Sequence, residues 1–279
     1  MKTIAHFFER DIGFKCLKIL AHDGGDIRIV AVTKIKNAHS PQVQEFCAKH
    51  NIELIPADNP NDAAFLLKLK DLDVRLAFAI SYSRIFKQAL FDAIPEGIIN
   101  LHPALLPRNG GCYPTMWSLL EGESETGYTL HKIDEGIDTG PIIAQVRVAI
   151  AGNDTGESLY AKQVYAGTSL FRQWLPAMIA GQYESNRQFD KGSYHKNELP
   201  YGGYIPWEKD FAFIERMVRA FAHSAYPGVL VKLDTGDAEV YAVERVSSTM
   251  NIPTIGGFVR QAGEVFFRCR DAVVKIYFL

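Results

Sequence analysis

Short apolar runs recur along the first hundred residues, and the segments between them carry apolar side chains at helical spacing. Residues 3–8 (Thr-Ile-Ala-His-Phe-Phe) predict a buried first strand, and 27–33, 53–56, 74–80 and 98–101 predict four more. Residues 13–21 place Phe14, Leu17, Ile19 and Leu20 at roughly helical spacing. A helix over 42–50 follows Ser40-Pro41, a cap followed by proline at the first helical position. Another covers 61–70, with Asp62 in its first turn. Strands alternating with helices of about ten residues predict an α/β fold on a doubly wound, mostly parallel, Rossmann-like sheet.

The pattern changes after Asn100. Loops rich in Gly and Pro run over 102–114, followed by expected strands at 126–132 and 142–150 and a long helix at 154–179. Residues 181–206 are polar and contain Gly192, Pro200, Gly202 and Gly203, which is a linker by composition. One helix near 211–222 and short β segments at 230–233, 239–243, 257–260, 265–268 and 273–278 then fit a small barrel. The expected organisation is a domain over 1–180 and a small C-terminal β-barrel domain over 207–279.

Composition narrows the class. A chain of 279 residues fits one larger and one smaller domain. Hydrophobic residues make up 47% and charged residues 22%, as in ordinary soluble globular proteins. No apolar run approaches the ~18 residues that span a bilayer. The opening apolar stretch meets charge at Glu9 and Arg10, short of a signal peptide, so the expectation is a cytoplasmic protein with no membrane partner. Cys16, Cys47, Cys112 and Cys269 form no C-x-x-C pair, which predicts reduced thiols and no structural zinc. The net charge of -2 lacks the basic footprint of a nucleic-acid binder.

The stretch with most chemistry is Asn100-Leu101-His102-Pro103-Ala104-Leu105-Leu106-Pro107, followed by Gly110-Gly111-Cys112-Tyr113-Pro114. It starts at the carboxyl end of the strand at 98–101, where open α/β sheets bind ligands. Asn100 and His102 are two apart, so along an extended chain they point to one face. A second stretch, Asp134-Glu135-Gly136-Ile137-Asp138-Thr139-Gly140, brackets Asp138 with glycines and suits a tight loop presenting one carboxylate. Singly, each has an ordinary explanation: Asn ends strands as a turn former, and Asp before Thr-Gly is commonly a turn.

Together these motifs, with Trp117 and Thr126-Gly-Tyr-Thr-Leu-His131, resemble the formyltransferases that use 10-formyltetrahydrofolate. The resemblance covers nearly the whole chain, since Trp207, Met217-Val218-Arg219-Ala220 and Pro227-Gly228 look like that family's C-terminal barrel. It implies a catalytic trio of Asn100, His102 and Asp138. Acyl transfer develops charge on the formyl oxygen, which Asn100 and a protonated His102 would meet, while Asp138 takes a proton from the attacking amine. The donor, leaving as tetrahydrofolate, is expected between Ser81, Tyr82, Ser83, Arg84 and Ile85 on one side and Asp134, Glu135, Gly136, Ile137 and Asp138 on the other. No metal is implied, and Cys112 is not expected to be a nucleophile.

The acceptor the resemblance favours is a nucleotide-linked amino sugar. Residues 201–279 hold three Lys and six Arg against four Asp and five Glu, so the basic surface of a methionyl-tRNA formyltransferase is missing. The basic insertion after the second strand is missing too. Glycinamide ribonucleotide enzymes lack the C-terminal domain, and deformylases carry an extra amino-terminal one. Segments 123–131, 140–150 and 193–200 look most like the sugar enzymes. Arg108, Gly110, Gly111 and Tyr113 are the expected acceptor-binding residues. Many relatives have Arg where this chain has Gly110, so a diphosphate contact made there comes from another residue such as Arg108 or is missing. The resemblance is compatible with a homodimer. The alternatives are the tRNA enzyme and a non-catalytic folate or nucleotide sensor, which would have lost one of the trio.

Overall fold

The structure, a computed structural model, describes residues 1–189, 192–246 and 250–278. In chain order its elements are β1 (Lys2–Phe8), α1 (Asp11–Asp23), β2 (Ile27–Thr33), α2 (Ile35–Ala38), α3 (Pro41–Lys49), β3 (Glu53–Pro56), α4 (Ala63–Asp71), β4 (Val74–Ile80), α5 (Gln88–Ala93), β5 (Ile98–His102), β6 (Gly110–Gly111), α6 (Pro114–Leu120), β7 (Glu125–Lys132), β8 (Ile142–Ala149), α7 (Gly156–Ala180), β9 (Tyr194–His195), α8 (Phe211–Phe221), β10 (Val229–Leu233), β11 (Gly236–Val246), β12 (Phe258–Gln261), β13 (Glu264–Arg268) and β14 (Val273–Phe278). They gather in two compact units. One comprises Met1–Gly110, Gly127–Arg147 and Gln163–Ser193, the other Gly111–Thr126, Val148–Lys162 and Tyr194–Leu279.

Seven strands form a mixed sheet in the order β3-β2-β1-β4-β5-β7-β8. The first five run parallel, and β7 turns antiparallel to β5. The order reverses between β1 and β4, the topological switch point beside which such sheets bind ligands. Both faces of the parallel part are covered, which is why its strands are near-continuous apolar runs. Ala5, Phe7, Val30 and Val32 pack with Phe65 and Leu69 of α4 on one face. On the other, Phe78 meets Phe171 of α7 edge-on at 5.1 Å, and Phe8 stacks on Phe14 of α1. The fully buried rings among them, Phe7, Phe78 and Phe171, each contribute roughly 1.5–3 kcal/mol.

The strands at 27–33, 53–56 and 74–80 have the bounds their apolar runs predict. Asp62 differs: it precedes α4 as its cap, accepting from the backbone N–H of Ala64 (3.0 Å) and Phe65 (3.2 Å). Short α2, α5 and α6 were not predicted, because fewer than two helical turns carry too little periodicity to register.

In the second unit five antiparallel strands form a sheet in the order β10-β11-β14-β13-β12. The small C-terminal barrel thus takes the form of a half-barrel. Amphipathic α8 buries Ile214, Met217, Val218 and Phe221 and is capped by Asp210, which accepts from Phe213 N at 2.9 Å. Positions 190 and 191 of the expected connection at 181–206 lie outside the described residues, as do 247–249 and 279. Among the described residues no helix is long and apolar enough to cross a membrane. None of the four cysteines, all among the described residues, is in a disulfide, and burial pushes the Cys47 thiol up to about 11.

Candidate active site

The end of β5 places Asn100 and His102 on one face, and β7 supplies what lies opposite. The antiparallel register pairs Asn100 with His131 and His102 with Thr129. Asp138 comes from the loop after β7. Its Oδ2 lies 3.4 Å from His102 Nδ1 and its Oδ1 3.4 Å from Asn100 Nδ2. The structure therefore brings Asn100, His102 and Asp138 to one point and adds His131, whose Nε2 is 3.1 Å from Asn100 Nδ2 and 3.5 Å from Asp138 Oδ1.

Backbone carbonyls fix the protons. A carbonyl only accepts, so His131 Nδ1, 2.8 Å from Lys132 O, must carry hydrogen. Asn100 Nδ2 donates to Asp138 Oδ1, which orients the amide with its NH2 toward Asp138 and His131 Nε2. By the same logic His102 Nε2 donates to Asn109 O at 2.8 Å, leaving Nδ1 toward Asp138. Burial pushes the His102 pKa below its ordinary 6.5, while the Asp138 carboxylate pulls the other way. Desolvation is the larger of the two influences, so the balance favours neutral His102 over the cationic form in which it would meet an oxyanion. His102 Nδ1 and Asp138 Oδ2 face each other as two acceptors able to share one incoming proton.

The Asp138 loop is shaped by sterics. Asp138 has φ +58°, in the left-handed region that costs most residues about 1–2 kcal/mol. Asp134 Oδ1 accepts from Gly136 N (3.1 Å) and Thr139 Oγ1 (2.7 Å), closing the turn. Gly140 is required by space, because a Cβ there would stand 1.8 Å from Lys132 O. Gln188 Nε2 donates to the carbonyls of Asp138 (2.9 Å) and Gly140 (2.8 Å) and holds the loop from outside.

The loop carrying Asn109 is held equally closely. Buried Thr129 donates to Ala104 O (2.6 Å) and accepts from Leu106 N (3.1 Å) and Gln145 Nε2 (2.9 Å). Ser193 Oγ accepts from Asn109 N at 2.8 Å and donates to its Oδ1 at 3.2 Å. Asn109 (φ +56°) is thereby fixed with its carbonyl on His102.

The expected donor loops differ in character. Past β4, Ser81 has φ +53°, Tyr82 donates to Ala57 O (3.0 Å), and Ser83 and Arg84 hydrogen-bond Glu9 and Asp58. Ile85 is 70% exposed, and Ile137 of the second loop 46%, two apolar side chains standing in solvent. Of the expected acceptor residues, Arg108 is exposed, and a Cβ on Gly110 would lie in ordinary contact with Asp138 Cβ at 3.7 Å. Gly111 and Tyr113 fall in the second unit: Gly111 (φ +88°) passes close to His195 O, and Tyr113 (φ +57°) precedes α6 with its ring on Tyr226.

His131, Asn109, Gln188 and Ser193 were not singled out by sequence reasoning. His131 was visible only as part of a motif, because its role depends on the β5–β7 register. The contact of Asn109 is through its backbone, which no side chain announces. Among the described residues no group of three or more His, Cys, Asp or Glu side chains could hold a metal ion.

Comparison with known proteins identifies the family. The N-terminal formyl transferase model matches residues 27–175 and the formyl transferase C-terminal domain model residues 201–279. Among solved structures, the N-formyltransferase from Helicobacter canadensis in complex with folinic acid and dTDP-3-aminofucose is 19% identical with TM-score 0.75, covering 100% of both chains. The sugar 3N-formyl transferase WlaRD, with dTDP and 5-N-formyl-THF, is 20% identical with TM-score 0.72 over 100% of this chain and 98% of that one. A 4-N formyltransferase from Francisella tularensis is 22% identical with TM-score 0.70, covering 88% and 99%. At these identities the structures share the fold, while the family models span more than half the sequence: this chain belongs to the formyl transferase family.

Proposed function

We propose that this enzyme transfers the formyl group of 10-formyltetrahydrofolate to the amine of a nucleotide-linked amino sugar, with Asn100, His102 and Asp138 as its catalytic residues. The observation that carries the chemistry is the convergence of these three side chains at the end of β5 within hydrogen-bond or near-contact distance. The donor supplies the formyl carbon. Asn100 turns its NH2 into the site, and its 3.4 Å contact to Asp138 is long enough to yield to a developing oxyanion. Asp138 accepts the proton the amine sheds as the new C–N bond forms, can share it with Nδ1 of neutral His102, whose Nε2–H stays on Asn109 O, and returns it to the folate nitrogen as the folate N–formyl bond breaks and tetrahydrofolate leaves. The two loops bearing exposed Ile85 and Ile137 offer apolar contact to a flat pterin.

The acceptor class is supported by structural neighbours of similar length, one a sugar 3N-formyl transferase and one an N-formyltransferase in complex with dTDP-3-aminofucose. A tRNA acceptor is disfavoured by the even balance of charge over residues 201–279. The protein then works in solution, in the cytoplasm where nucleotide sugars and reduced folate occur together, and a homodimer is compatible with the fold. Binding energy from the remote nucleotide can position the amine, so its loss should lower turnover as well as affinity. The test is catalytic efficiency on a nucleotide-linked amino hexose, its sugar phosphate and the free amino sugar, with product mass reporting the gain of one formyl group. A steep fall along that order is expected; equal efficiencies, or transfer to initiator methionyl-tRNA alone, would overturn the acceptor assignment.

A further inference from the structure

One carboxylate ties together the carboxyl ends of three strands. Glu9 follows β1, Lys34 follows β2, and Ser83 lies in the loop after β4. Glu9 Oε1 accepts from Ser83 N and from Ser83 Oγ, each at 2.9 Å. Glu9 Oε2 lies 2.8 Å from Lys34 Nζ, which also donates to Ser83 Oγ at 2.7 Å. The three groups close a triangle at the β1–β4 switch point. The Glu9 side chain keeps 12% of its exposure and that of Lys34 25%. Charge-assisted bonds of this kind are stronger than neutral ones, and partial burial lifts them above an ordinary surface pair.

The triangle is not needed to join the strands. The ladder already pairs β1 with β4 as far as Phe8 and Ile80, and Thr33 Oγ1 ties β2 to Phe8 O at 2.5 Å. What Glu9 adds is the position of the loop backbone beyond the ladder, where Ser81 sits at φ +53°, a conformation that persists only when its surroundings over-determine it. Asn37 Nδ2 in turn holds Glu9 O at 3.1 Å, so the anchor is itself fixed.

We propose that Glu9, paired with Lys34, is the positioning residue of the formyl-donor site, holding residues 81–85 in the backbone arrangement that receives the folate. This rests on the reading above that the loop binds the donor. Glu9 does not touch the reacting atoms, so its loss acts on donor affinity and leaves the chemical step alone.

The test uses the full chain, with folinic acid as a stable formyl-folate probe in calorimetry and 10-formyltetrahydrofolate in steady-state kinetics. Glu9→Ala should weaken folinic acid and raise the donor KM about tenfold, the scale of removing one partner from a partly buried charged hydrogen bond, with kcat and the acceptor KM within about twofold. Glu9→Gln, which can still accept from Ser83 N, should fall between. Ser83→Ala should cost about threefold in the same parameter, since the backbone bond remains. Unchanged folinic acid affinity in Glu9→Ala, or donor and acceptor KM rising together, would overturn the proposal. Should Glu9→Ala fail to fold, Glu9→Gln and Ser83→Ala decide, and wild-type donor affinity in both would overturn it. Wild-type protein that does not bind folinic acid would overturn the donor-site reading and this proposal with it; a binding wild type with indifferent variants would overturn the Glu9 role alone.

Discussion

The parallel part of the sheet and its β5–β7 edge are held by different physics. From β3 to β4 the strands are buried on both faces and specified by apolar volume, with Phe7 and Phe78 fully enclosed. At the edge, polar side chains that would be costly if unpartnered are enclosed instead: His102 at 5% exposure, Asn109 at 1% and His131 at 1%. His102 and His131 are each paired with a backbone carbonyl, and Asn109 with the Ser193 hydroxyl and the His102 ring. The scaffold tolerates many apolar solutions; the edge tolerates few, because each hydrogen-bond partner fixes the next proton.

Asp138→Asn has the largest expected effect. It keeps the shape of the loop and removes the proton acceptor, so turnover should fall by about two to four orders of magnitude with little change in either KM. Steady-state kinetics checks this, and near-normal turnover would remove Asp138 from the chemistry. Phe78→Ala should do the opposite, costing about 3–5 kcal/mol of stability in denaturant unfolding while the folded fraction keeps its turnover.

Two glycines at the edge separate steric necessity from tolerance. Gly140→Ala forces a Cβ to 1.8 Å from the Lys132 carbonyl and should cost about 1–3 kcal/mol and displace Asp138. Gly110→Ala meets nothing nearer than 3.6 Å and should leave stability and turnover close to wild type. Equal effects on stability and turnover would show that the Asp138 loop is not held as described.

Two buried histidines sharpen the contrast through pH. His6 of β1 lies inside the parallel part with Nε2 2.8 Å from Gly13 O, and burial pushes its pKa down from 6.5 to about 4. Its depressed folded pKa means that stability is fully present above pH 6.5 and falls as pH drops toward 4, by about 3 kcal/mol in all. His102 has the same sign, so its neutral form persists below pH 6.5. The acid limb of kcat/KM should accordingly lie below 6.5; a limb centred above that value would mean that Asp138 outweighs burial.

The sequence was legible where the signal is local. Apolar runs located β2, β3 and β4 to the residue, and Asn100, His102 and Asp138 stood out by motif and meet in space. What remained hidden depends on tertiary pairing. His131 faces Asn100 only through the antiparallel register of β5 and β7, and Asn109 acts through its carbonyl. Gln188 acts from fifty residues beyond the Asp138 carbonyl it clamps. The helix α6 starts after a left-handed Tyr113, which no periodicity in seven residues reveals.

On the proposed function, the edge cluster performs formyl transfer to a nucleotide-linked amine. The most direct measurement follows product mass with 10-formyltetrahydrofolate and a nucleotide-linked amino hexose, comparing wild type with His102→Ala at equal folded concentration. Formylated nucleotide sugar is expected from the wild type, and a rate at least about a hundredfold lower from the variant. Equal rates, or no formylated product across a panel of nucleotide amino sugars, would contradict it.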